Sequence, residues 1–260
     1  MTGEFRRHLP ELGEMDGYDL ETYGASWAPF YDELFNDSAS EIEFLKRFTG
    51  DPPRALELAI GSGRIAIPLG ASGVEVTGID ISDDMIALLR AKTGGDEIRI
   101  IKGDFADVAV DQTYPLAYLA FNTLFALLEQ GRQVECFVNT ARALEPGGRF
   151  VLDAFVPDVA RFDRHQTRMA VESITSSQAH AYELSIHDPV AQRVVSHHVR
   201  RFDDGSTVVL PVTIRYAWPA EMDLMARVAG LVLEERFGWY DRRRFTEQSG
   251  QHVSVYRKQG

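Results

Sequence analysis

The sequence predicts an α/β protein: a doubly wound, mainly parallel sheet with helices on both faces, interrupted near its end by a small antiparallel β subdomain. Segments of strand and helix period alternate between Arg54 and Phe155. A glycine turn, Gly61-Ser62-Gly63, joins the first strand to the helix after it. Past Phe155 the alternation gives way to a stretch rich in β-branched residues. Strands that alternate with helices need a sheet buried on both faces, whereas the later stretch lacks the helices that would cover one.

In chain order, residues 1–35 form an N-terminal arm or lid in which turn formers are mixed with Tyr18, Tyr23, Trp27, Phe30, Tyr31 and Phe35. Asn36, Asp37 and Ser38 then offer caps to a first helix with Ile42, Leu45 and Phe48 on its apolar stripe, and Asp51-Pro52-Pro53 stops it. Residues 54–60 read as a buried strand, 64–71 as a helix, 74–80 as a strand, 83–92 as a helix and 98–102 as a strand. The strand at 116–121, the helix at 132–144 and, after the turn Glu145-Pro146-Gly147-Gly148, the strand at 149–155 continue the series. Residues 158–216 are the inserted subdomain, with β character from about 169 and a hairpin turn at Phe202-Asp203-Asp204-Gly205-Ser206. Its alternating residues must bury one face, against an acceptor pocket or in a homodimer contact. Pro219 opens a helix with Met222, Met225 and Val228 facing inward, and Gly230 ends it ahead of strands at 231–237 and 252–257. Residues 36–157 and 217–260 thus make up the ligand-binding domain.

Composition narrows the function classes. A chain of 260 residues with 45% apolar residues buries an ample core unaided, and its one cysteine, Cys136, excludes an internal disulfide and a cysteine-based zinc cluster. A net charge of −12 disfavours nucleic acid and anionic membranes as partners. Residues 1–14 lack the build of a signal peptide, and no apolar run approaches the ~18 residues of a membrane span, so a cytoplasmic protein is expected. No metal is expected either, because His197 and His198 fall on opposite faces of a strand.

Chemistry concentrates where the first strand meets the glycine turn, at Glu57-Leu58-Ala59-Ile60-Gly61-Ser62-Gly63-Arg64. Ligands of parallel α/β sheets bind at the carboxyl ends of strands, where glycine lets them approach the backbone. Asp80 closes the second strand and suits the hydroxyls of a ribose. The third strand ends in Gly103-Asp104-Phe105, where a carboxylate can receive an adenine amine while Ile81, Met85 and Phe105 wall the ring. The glycines alone also fit a nicotinamide dinucleotide, since Ala66 stands where a third glycine would.

Glu57 before Gly61-Ser62-Gly63, Asp80, Gly103-Asp104-Phe105 and Leu144-Glu145-Pro146-Gly147-Gly148, in that order, resemble the class I S-adenosylmethionine-dependent methyltransferases. The resemblance is close over residues 54–157. It implies a seven-stranded sheet whose last strand, 252–257, is antiparallel, and S-adenosylmethionine as cofactor. It also implies that Ala59 and Gly61 face the methionine portion, Asp80 the ribose, Asp104 and Phe105 the adenine, and Phe121 the far side of the cofactor. Tyr31, from a matching Tyr31-Asp32 pair, would help cover it. The inserted sheet resembles, more loosely, bacterial small-molecule N-methyltransferases, including those that act on amino sugars.

An activated sulfonium methyl leaves alignment and desolvation as the protein's main tasks. A neutral amine acceptor needs no base, a hydroxyl usually does, and no base stands beside the motif, which favours nitrogen. Asn122 would position the acceptor. Tyr23 and Trp27 in the arm, with Trp239 and Tyr240 after a parallel sixth strand, would contact it. Two rivals stay open: a nicotinamide-dependent oxidoreductase, which should carry a proton relay not found here, and a protein that binds S-adenosylmethionine without methylating.

Overall fold

The computed structural model describes Tyr18 and residues 20–35, 37–171 and 179–260. Its main sheet comprises β1 (Arg54–Leu58), β2 (Glu75–Asp80), β3 (Arg99–Lys102), β4 (Tyr114–Leu119), β5 (Leu144–Phe155), β10 (Leu231–Phe237) and β11 (Gln251–Lys258), in the order β10-β11-β5-β4-β1-β2-β3. β1 to β5 pair in parallel, and β11 runs antiparallel to both β5 and β10. Seven strands with an antiparallel last strand are the predicted architecture. The four residues expected as a turn before β5 are instead absorbed into it. Gly147 takes a φ of +77°, and a Cβ on Gly148 would lie 2.9 Å from the Glu145 carbonyl oxygen, so the two glycines carry the strand through a kink that other residues would obstruct.

Alternation along the buried strands divides the core between the two faces. Leu56, Leu58, Leu119 and Leu152 point to one side and Ala55, Tyr118 and Val151 to the other, all almost fully buried. Helices α2 (Ala39–Leu45), α3 (Ala66–Ala71), α4 (Asp83–Arg90), α5 (Gln130–Ala143) and α6 (Pro219–Val228) flank the sheet's strands in sequence. On α6 the inward residues are Met222, Met225 and Ala226. Val228, expected there, is 69% exposed, because the 3.6-residue period places Ala226 rather than Val228 beside Met222.

The arm also departs from expectation. Residues Leu20–Leu34 form a helix, α1, ahead of the one predicted as first. Tyr23, Trp27 and Tyr31 recur at i, i+4 and i+8 and bury a common stripe, and that burial prevails over Gly24 and Pro29, whose ring faces solvent. The proposed cap Asn36 lies outside the described residues.

The second sheet is antiparallel throughout: β6 (Thr167–Val171), β7 (Ala179–Asp188), β8 (Arg193–Phe202) and β9 (Thr207–Arg215). Arg215, 6% exposed, fastens it to the main body, donating to Gln133 Oε1 on α5 at 2.6 Å and pairing with Glu221 on α6 at 2.8 Å. Among the described residues no helix is long and apolar enough to cross a membrane, and no group of three or more His, Cys, Asp or Glu could hold a metal ion.

Candidate active site

A cavity of about 420 Å³ lies at the carboxyl edge of the parallel strands, bounded by α1 on one side and the inner face of the small sheet on another. Its floor begins at the β1 turn. Ala59 and Gly61 adopt φ values of +54° and +56°, so the chain reverses tightly and turns backbone toward the cavity. Gly63 does not line it. A Cβ there would sit 2.9 Å from Leu89 Cγ, so that glycine permits the turn to pack on α4.

Asp80 ends β2 with its carboxylate at the cavity wall. Oδ2 accepts the Gly61 N–H at 2.7 Å and Oδ1 the Ser82 N–H at 2.9 Å, which ties the β1 and β2 turns together. Burial pushes its pKa up while these N–H donors pull it down. The Ile81 backbone also acts on this carboxylate, and with about four lone-pair sites Asp80 retains room for a hydroxyl. Ile81, Met85 and Phe105 form an apolar wall next to it, with Met85 and Phe105 each under 5% exposed. A hydroxyl acceptor beside a flat apolar slot and an open backbone turn fits a nucleoside such as that of S-adenosylmethionine.

α1 is held in place by four contacts, one of them to the small sheet. Asp32 accepts from Ser62 Oγ and from Lys92 Nζ, both at 2.7 Å. Trp27 Nε1 donates to the Pro211 carbonyl of β9 at 3.1 Å. Gly24 meets Ser82 so closely that a Cβ would lie 2.0 Å from its Oγ. Gly24→Ala should therefore lever α1 off its seat and cost about 1–3 kcal/mol by overpacking. A melting temperature equal to wild type would show that the helix is not held there.

Opposite α1, Phe121 and Asn122 follow β4 with successive left-handed φ values of +65° and +58°. At Phe121 such backbone costs roughly 1–2 kcal/mol, whereas asparagine adopts it more readily, so the surroundings must enforce it at Phe121. Phe121 packs edge-on against Phe35 and Tyr31, with centroids at 4.7 and 6.3 Å. Asn122 spends its Oδ1 on the Phe155 N–H at 2.6 Å.

Of the residues singled out in the sequence, Tyr23, Trp27, Tyr31, Ala59, Gly61, Asp80, Ile81, Met85, Phe105, Phe121 and Asn122 line this one cavity. Five do not. Glu57 is buried beneath the turn, where Tyr118 Oη donates to it at 2.8 Å and loss of hydration raises its pKa to about 8. Asp104 turns to Arg132 at 2.7 Å and caps the Ala106 N–H. Trp239 and Tyr240 correct the expectation of a substrate contact, for the chain after β10 folds back over the core rather than toward the opening. Tyr240 is 4% exposed and packs on Phe44 at 5.5 Å. Residues that the motif reading missed come mainly from the small sheet: Glu183, Ser196, His198 and Val212, with Tyr216 just beyond it. No local motif marks them. The available signal was the alternation of β8 and β9, which places Val194, Ser196 and His198 on one face.

Glu183 is well satisfied there. Arg161 lies 2.8 Å away, Arg168 pairs with it and Ser185 Oγ donates at 2.6 Å, which together hold its carboxyl below the usual range despite partial burial.

Comparison with known proteins agrees with this geometry. A family profile described as a methyltransferase domain matches residues 55–148. The structure of the CcbJ methyltransferase from Streptomyces caelestis superposes with a TM-score of 0.86 at 37% identity, covering 94% of this chain and 100% of that one. The cypemycin N-terminal methyltransferase of a Streptomyces species is 27% identical over 80% of this chain and 84% of its own. CalS10 from Micromonospora echinaspora, an amino pentose methyltransferase with S-adenosylmethionine bound, shares the fold at 16% identity and a TM-score of 0.63, with 94% and 93% of the two chains covered.

Proposed function

Because the chain belongs to the class I S-adenosylmethionine-dependent methyltransferases, we propose that its acceptor is a small molecule and that the methyl group is delivered to an amine nitrogen. The observation that carries this reading is a continuous cavity running from the Gly61–Asp80 floor to the inner face of the small sheet, covered by the aromatic helix α1. A cavity of about 420 Å³ falls within the ~300–1,000 Å³ usual for small-ligand sites. Asp80 would hold the ribose, Ile81, Met85 and Phe105 the adenine, and Ala59 and Gly61 the methionine portion.

When bound, S-adenosylmethionine supplies a methyl group already activated on sulfonium. What remains for the protein is to align the acceptor and exclude water, worth on the order of 7–11 kcal/mol in favourable intramolecular cases. Trp27, Tyr31 and Phe121 do the excluding, and the inner residues of β7 to β9 shape the acceptor end. Three of the polar side chains at the wall are already engaged, whereas Asp158 and His198 also line it. Asp80 holds two N–H groups, Glu183 is matched by arginines, and the Asn122 oxygen is taken by Phe155. A neutral amine needs no proton acceptor before attack, whereas a hydroxyl does. The name of the cypemycin N-terminal methyltransferase favours nitrogen.

Incubation with S-adenosylmethionine and matched panels of amines and alcohols tests this. Product of one added methyl, placed on nitrogen by fragmentation, is the expected result. Exclusive O-methylation would reject the nitrogen assignment, and S-adenosylhomocysteine formed with no methylated small molecule would reject the acceptor class.

A further inference from the structure

Asp153 on β5 does not line the cavity and is 3% exposed, yet it accepts three short hydrogen bonds, two of them from the cavity wall. Its Oδ2 accepts the Phe121 N–H at 2.9 Å, its Oδ1 the Asn122 N–H at 2.8 Å, and Tyr240 Oη donates to Oδ2 at 2.7 Å. The two amides belong to the consecutive left-handed residues that face the cavity. Successive N–H groups in such a turn point toward a common anion, and here that anion is a side chain of the protein. Asn122 fastens the same turn a second time through the Phe155 N–H, also on β5.

We infer that Asp153 is the positioning residue of the transfer site, fixing Phe121 and Asn122 against the cavity from behind, and that Tyr240 holds Asp153 in that role. This rests on the cavity being the active site. Only a carboxylate can receive both amides, since a protonated carboxyl or an amide would aim a hydrogen at one of them. Tyr240 comes from the segment between β10 and β11, so a residue more than 80 positions away in sequence shapes the wall without touching the ligand. The charged and titratable groups facing Asp153 are Tyr240 and, from α2, Glu41, which Arg64 neutralises at 2.9 Å. Burial raises the Asp153 pKa, and the Tyr240 hydroxyl and the two amides oppose that rise.

Tyr240→Phe keeps the ring against Phe44 and removes only the hydroxyl, so the fold should persist. Without this donor Asp153 protonates at higher pH. Two readouts follow. In the ligand-free protein, the amide proton resonances of Phe121 and Asn122 should titrate with acid, with a midpoint higher in Tyr240→Phe than in wild type. In turnover, the acid limb of kcat should move up by the same interval. Asp153→Asn should lower kcat tenfold or more at every pH and abolish the amide titration. Amides insensitive to pH, or a midpoint that does not move in Tyr240→Phe, would overturn the proposal. So would a midpoint that moves while kcat does not, since the turn would then be held by Asp153 without governing transfer. Adding S-adenosylhomocysteine to the wild type separates this from the premise: if neither amide shifts, the cavity is not the cofactor site, whatever Asp153 does.

Discussion

Replacing Glu57 with glutamine should stabilise the protein strongly at pH 9 and hardly at all at pH 5. Glu57 is buried with its carboxyl raised from 4.5 to about 8, so the native state retains a proton that the unfolded chain releases. Stability therefore falls as pH climbs from 4.5 to about 8, the reverse of an ion-paired carboxylate. The full interval corresponds to roughly 5 kcal/mol. Glutamine is never charged and still accepts from Tyr118 Oη, so the variant removes the penalty while keeping the contact. Denaturant midpoints at pH 5, 7 and 9 would show the two proteins diverging with pH. Parallel curves would mean that Glu57 is ionised in the folded state and that its surroundings solvate it.

Asp80→Ala should weaken S-adenosylmethionine binding by roughly 1.5–3 kcal/mol, the range for losing hydrogen bonds to a charged group. The structure adds a second consequence. Asp80 also joins the Gly61 and Ser82 N–H groups, so truncation leaves both amides without that partner and costs stability in the free protein at about 1–3 kcal/mol for each one that water cannot reach. Asp80→Asn retains an acceptor oxygen and should fall between alanine and wild type in both measurements. Titration calorimetry beside thermal melts separates the effects. Wild-type affinity in a folded Asp80→Ala protein would place the ribose elsewhere.

Much of the fold was legible because burial leaves a periodic trace. β1 to β5 lie at the residues their apolar runs mark to within a few positions, and the glycine turn and Asp80 mark the strand ends where the cavity forms. Helix α1 was less so, since Gly24 and Pro29 argue locally against the helix that Tyr23, Trp27 and Tyr31 stabilise through burial. Gly24 is there for a reason no local rule contains: Ser82, distant in sequence, occupies the space of its Cβ.

The sequence by itself determined the alternating sheet and the ordered glycine turn and strand-end acids that carry the resemblance to methyltransferases, because these depend on residues adjacent in the chain or on strand-end turns with recurring spacing. Only the tertiary structure decided which side chains meet across the cavity. It turned Tyr240 inward onto Asp153, took Glu57 and Asp104 off the wall, and brought Ser196, His198 and Tyr216 onto it. Those outcomes depend on the approach of segments far apart in sequence, where one hydrogen bond or one excluded methyl selects the partner, and such selections leave no period to read.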